Sequence, residues 1–134
     1  MKIRKRVSKV RTRYIAIHST GTREHMLIKA LDKLPFHFLI TRSGRLISIK
    51  PVRSGTRTIE VAWLGGLDRR GRHVDNRTEE QNDTLFNVLV VLTEQFSRAK
   101  IVGADELYVY GYANPGFDIK KWLRSYIPAF LQAA

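Results

Sequence analysis

The chain has 134 residues, 43% of them hydrophobic, with 24 Lys and Arg against 12 Asp and Glu for a net charge of +12; that is enough to bury the core of one domain. It contains no cysteine, which excludes a disulfide framework, a thiolate metal site and a cysteine nucleophile. The longest apolar run, Val88–Leu92, is too short to cross a bilayer and Tyr14–Ile17 is too short for a signal-peptide core, so the expectation is a cytoplasmic protein with no membrane span.

The charge is unevenly spread. Seven cations (Lys2, Arg4, Lys5, Arg6, Lys9, Arg11 and Arg13) fall in the first thirteen residues with no acid among them. Residues 1–12 read as a basic arm and residues 13–134 as a single domain. An arm of this kind suits a polyanion partner, engaged through residues 1–13 by counterion release, or simply a solvated tail. Arg53, Arg57, Arg69, Arg70 and Arg72 are further possible anion contacts, although no nucleic-acid motif accompanies them.

In chain order, residues 11–19 read as a strand with Ile15 and Ile17 on one face and Tyr14, Ala16 and His18 on the other. Thr22 to His25 open a short helix whose apolar stripe is Met26, Leu27, Ala30, Leu31 and Leu34. Residues 37–42 and 46–49 flank Ser43-Gly44-Arg45 as a hairpin. Thr58–Leu64 is a strand closed by Gly65-Gly66, followed by a polar, turn-rich loop over residues 67–78. Thr78-Glu79-Glu80-Gln81 is a capping box, and Leu85, Val88, Leu89, Val91, Leu92 and Phe96 recur behind it at helical spacing. Ile101–Gly103 is a short strand, residues 108–115 an irregular loop, and a helix capped by Asp118 closes the chain. The fold class is α/β or α+β: a mixed sheet of about five strands flanked by helices.

His18 stands at the end of the first strand, where a histidine can hold a metal or act as a base. The successive stretches YIAIHST, HFLITRSGRL, WLGGLDRRGRHVDNRTEEQ and NPGFDIKKWL resemble the zinc-dependent N-acetylmuramoyl-L-alanine amidases, the type-2 family that includes phage and gut-bacterial amidases and the peptidoglycan recognition proteins. The resemblance covers roughly residues 13–125 and implies their fold. It places His18 at the first zinc ligand, Ala104 and Asn114 at the other two, Phe36 at the family's tyrosine and Tyr112 at a lysine found in some phage members. A catalytic zinc needs three protein ligands, and alanine has no donor. The resemblance therefore implies a degenerate member whose remnant ligand is His18, with no metal expected and zinc only if another site forms around that residue.

His25, His37, His73, Asp105 and Glu106 are the substitutes at hand. His37 is expected to point away from the site and His73 to be solvated, leaving His18 as a hydrogen-bonded strand-end histidine. The loop between Lys50 and Thr58 and the segment from His18 to His37 are shorter than the family's, which cuts back the groove. The resemblance thus implies a non-catalytic pseudo-amidase that binds peptidoglycan fragments or a protein partner, with Tyr108, Tyr110, Tyr112, Arg53 and Arg57 as ligand-binding candidates. The three tyrosines also suit filling the space left by zinc and water. Residual amidase activity on the bond between muramic acid and L-alanine is the enzymatic alternative, and release by lysis is the expected route if the chain is phage-derived.

Overall fold

The computed structural model describes residues 11–26 and 33–126. Seven strands and two helices are assigned there: β1 Tyr14–Ser19, β2 Thr22–Arg23, β3 Phe38–Ile40, β4 Leu46–Ser48, β5 Thr58–Trp63, β6 Gly66–Leu67, α1 Glu79–Gln95, β7 Lys100–Gly103 and α2 Ile119–Tyr126. Five strands form one mixed sheet in the order β4-β3-β5-β1-β7. β1 lies parallel to both β5 and β7, β3 is parallel to β5, and only the hairpin partner β4 runs antiparallel.

Alternation along the strands sorts the side chains onto two faces. Ile15, Ile17, Ile40, Ile59 and Val61 meet Leu85, Val88, Leu89 and Leu92 of α1 and Ile119 of α2 in the larger core cluster. Phe36, Leu39, Ala62 and Leu64 form a smaller cluster with Leu34, Ile47 and Ile49. Its members Leu39 and Ala62 are cross-strand partners, on the face that also carries His18.

The capping box is complete. Thr78 Oγ1 accepts from Gln81 N, and Gln81 Oε1 accepts from Thr78 N. Gln81 is fully buried, and its Nε2 also donates to Ile40 O and Leu64 O, bolting the helix start to the ends of β3 and β5. Asp118 caps α2 as the sequence indicates, accepting from Lys121 N at 3.0 Å. Gly65 and Gly66 both have positive φ, and a Cβ on Gly65 would lie 2.6 Å from Arg42 Nη1; the backbone turns here where no side chain fits.

Two expectations change. Thr22-Arg23 does not open a helix; it pairs with Gly66-Leu67 as a two-stranded parallel ladder, and tertiary pairing overrides a weak local signal. Residues 27–32 of that expected helix lie outside the described residues, and Leu34 sits in a bend. Val91 of the expected stripe is 53% exposed, because the apolar stripe of α1 is broader than the strip of sheet beneath it. Of the basic arm, residues 1–10 lie outside the described part, while Thr12 Oγ1 donates to Thr56 O at 2.6 Å.

Candidate functional site

His18 projects from the face of β1 that α1 does not cover. In the β1–β5 ladder His18 is level with Ala62 and Ala16 is level with Glu60. These four residues share a face, so His18 and Glu60 occupy one diagonal and the two alanines the other. A diagonal pair is within reach of long side chains, and here His18 Nε2 lies 2.6 Å from Glu60 Oε1. The other carboxylate oxygen accepts from Tyr108 Oη at 2.6 Å, and Tyr110 Oη lies 3.2 Å from His18 Nδ1. Rings pack around the imidazole: Phe36 at 4.9 Å between centroids, and Tyr108 stacked at 5.9 Å. Together with Pro35 these residues line a cavity of about 290 Å³.

One arrangement gives each of these protons an acceptor inside the cluster. Tyr110 O–H donates to Nδ1, Nε2–H donates to Oε1, and Tyr108 O–H donates to Oε2. In it both oxygens of Glu60 accept a hydrogen bond. Both phenols are held protonated. Burial, then the Glu60 carboxylate it bonds, pushes Tyr108 well above the usual phenol range; burial, then the neighbouring Tyr112, Glu60 and Asp105, raises Tyr110.

His37 does not line the cavity, as expected. It is buried, and its Nδ1 accepts from the backbone N of Glu60 at 2.9 Å. Burial, followed by the positive charge of Lys50, lowers its pKa against a smaller opposing effect of Glu60.

Of the sequence candidates, His18, Phe36, Tyr108 and Tyr110 come together. Ala104 is fully buried at the start of a three-residue helical turn, Ala104–Glu106. Asn114 is buried too, and its Oδ1 accepts from Ser19 N at 2.8 Å, tying the late loop to the end of β1. Asp105 accepts from Asn114 N and Glu106 from Gly103 N, so neither carboxylate is turned on His18. Tyr112 stands apart from the cavity, stacked on His73 at 3.5 Å; His73 is therefore a ring partner and not merely a solvated turn residue. Arg53 and Arg57 are exposed, and Arg57 precedes β5 at the end of the β1–β5 pair opposite His18. His25 borders a separate depression with Arg23, Glu24 and Asp68.

Glu60 was not singled out from the sequence. Its signal was a lone carboxylate inside the apolar strand TIEVAW, on the same face as Ala62. Its partner lies 42 residues away, and only the register of β1 on β5 brings the two together.

A tetrahedral zinc does not fit the donors present. Both imidazole nitrogens face protein groups, Ala104 offers no donor, and Asn114 Oδ1 is occupied by a backbone N–H. Among the described residues no group of three or more His, Cys, Asp or Glu side chains is placed to hold a metal ion.

No protein-family model matches the sequence. It is 27% identical over 95 residues to the endolysin of Klebsiella phage KP32, an overlap that takes in 65% of this chain and 62% of that relative, under two thirds of its length. The structure resembles the N-acetylmuramoyl-L-alanine amidase LysCS of Clostridium intestinale with a TM-score of 0.68 at 16% identity, covering 85% of this chain and 82% of that one. It resembles the endolysin of Thermus scotoductus bacteriophage Ph2119 with a TM-score of 0.64 at 18% identity, covering 85% and 84%. Against the Drosophila peptidoglycan recognition protein PGRP-SA the TM-score is 0.56 at 17% identity, covering 81% and 76%. At such identities it is the architecture that is shared. The mixed five-stranded sheet with its helices is thus the fold of the type-2 amidases and peptidoglycan recognition proteins.

Proposed function

We propose that the chain is a non-hydrolysing, amidase-like protein that binds peptidoglycan fragments in the cavity beside His18. The observation that carries this reading is the closure of the imidazole by side chains of the chain itself. Glu60 takes one ring nitrogen and Tyr110 the other, where a metal would need one of them free. Hydrolysis of an amide by the zinc route needs an activated water on an open metal position, and the donors to build one are not assembled. The names borne by structural neighbours, amidase and peptidoglycan recognition protein, support a cell-wall ligand.

The test combines metal analysis with wall binding. After incubation with zinc and gel filtration, the purified chain is expected to carry far less than one zinc per molecule. It is expected to release no new L-alanine amino termini from purified sacculi, yet to sediment with them. Stoichiometric zinc together with amine release overturns the reading in favour of an active amidase. A chain that neither hydrolyses sacculi nor sediments with them overturns it in favour of a protein or polyanion partner.

A further inference from the structure

We propose that the cavity beside His18 recognises an organic ammonium group, held over aromatic faces and neutralised by Glu60. This rests on the binding reading above and names the chemistry of the ligand.

The lining selects by elimination. An anion is opposed by the Glu60 carboxylate, and among the described residues no lysine or arginine lines the cavity. Among the described residues, no lysine or arginine lies within ion-pair distance of Glu60, whose close partner is His18. A neutral apolar group would leave the carboxylate, whose side chain is only 14% exposed, in a still drier setting with only its His18 and Tyr108 bonds, which is costly. A cation meets neither objection. Phe36, Tyr108 and Tyr110 line the cavity, and rings grouped about one cation are a recurrent way to hold a quaternary or primary ammonium. Each carboxylate oxygen accepts one bond from the protein and keeps a lone pair for a ligand N–H.

Size and access agree. A cavity of about 290 Å³ lies at the small end of ligand pockets, suited to a head group and not to a length of polymer. Tyr108 is 42% exposed, so the ring wall reaches solvent and a group on a longer molecule can enter. The chain's overall positive charge does not forbid this, because surface charges beyond the screening length of roughly 8 Å at physiological salt contribute little at the cavity.

The experiment is an NMR titration of the whole chain with choline, with n-butylammonium, and with the neutral isostere of choline in which carbon replaces the quaternary nitrogen. Choline or butylammonium is expected to shift the ring signals of His18, Phe36, Tyr108 and Tyr110 saturably, and the stronger of the two tells a quaternary from a primary preference. The isostere is expected to bind at least about tenfold more weakly, and Glu60→Gln to weaken the cation by a similar factor. Tyr108→Ala, at a partly exposed position, serves as a second variant and is expected to weaken the cation while the fold persists. Equal binding of choline and its isostere, ring signals that neither ammonium moves, or unchanged affinity in both variants overturns the proposal. Sacculus binding distinguishes the two readings. If sacculi sediment the chain while neither ammonium moves the rings, the cation preference falls and the binding reading stands. If the rings respond while sacculi do not bind, the ammonium site stands and the wall ligand falls.

Discussion

Truncating Glu60 removes the acceptor of two donors at once, His18 Nε2–H and Tyr108 O–H. Tyr108 reaches water and recovers a partner, whereas His18 is 4% exposed and does not. Glu60→Ala is therefore expected to destabilise the fold by about 1–3 kcal/mol in urea unfolding, the cost of one stranded buried donor. Glu60→Gln should cost less, because its amide oxygen still accepts from Nε2 and the Tyr108 hydroxyl can turn to accept from the amide nitrogen. His37 adds a pH dependence. Its folded pKa lies below the unfolded 6.5 because burial and Lys50 disfavour the cation. The unfolded chain then binds more protons in that window, so His37's contribution to stability is full above about pH 6.5 and is lost as pH falls toward its folded value. The expected result is a stability profile that declines below pH 6.5 in wild type, with a shallower decline in His37→Asn, whose amide oxygen can accept from Glu60 N without titrating.

The elements were legible wherever a local rule decided them. Thr78 and Gln81 announced α1, and alternation with a glycine turn announced β3 and β4. What sequence spacing did not show was a second task for Gln81, whose amide nitrogen reaches the carbonyls of Ile40 and Leu64 across 41 and 17 residues. Gln81→Ala should accordingly cost more than an ordinary cap loss of about 1 kcal/mol, roughly 2 kcal/mol, because two further buried hydrogen bonds are lost while Ile40 O keeps Leu64 N and Leu64 O keeps Arg42 Nη1 as donors, measured by thermal or urea unfolding. Thr22-Arg23 was misread because its extended form comes from β6, more than forty residues later. The site shows the same division. His18, Phe36 and the tyrosine loop were visible as residue types in sequence, while Glu60 acquires meaning only through the pairing of two distant strands.

At the scale of the molecule, two charged regions make opposite demands. The cavity is lined by the Glu60 carboxylate, whereas the first ten residues carry five cations and no acid. Removing residues 1–10 leaves the bonds of Thr12 and Arg13 to the strand ends in place, so the folded body should survive. Elution from a heparin column is expected to move to markedly lower salt in the truncated chain, with the ring signals of the cavity unchanged. Unaltered elution would show that the arm is not the polyanion contact.

The register of β1 on β5 has one more consequence. Ala16 and Ala62 are both fully buried and complete the square in which His18 and Glu60 touch. Both methyls lie on the face where imidazole and carboxylate meet. A branched side chain at either alanine would wedge that contact open from beneath, so two residues that no ligand ever meets would govern whether the cavity keeps its shape and its charge.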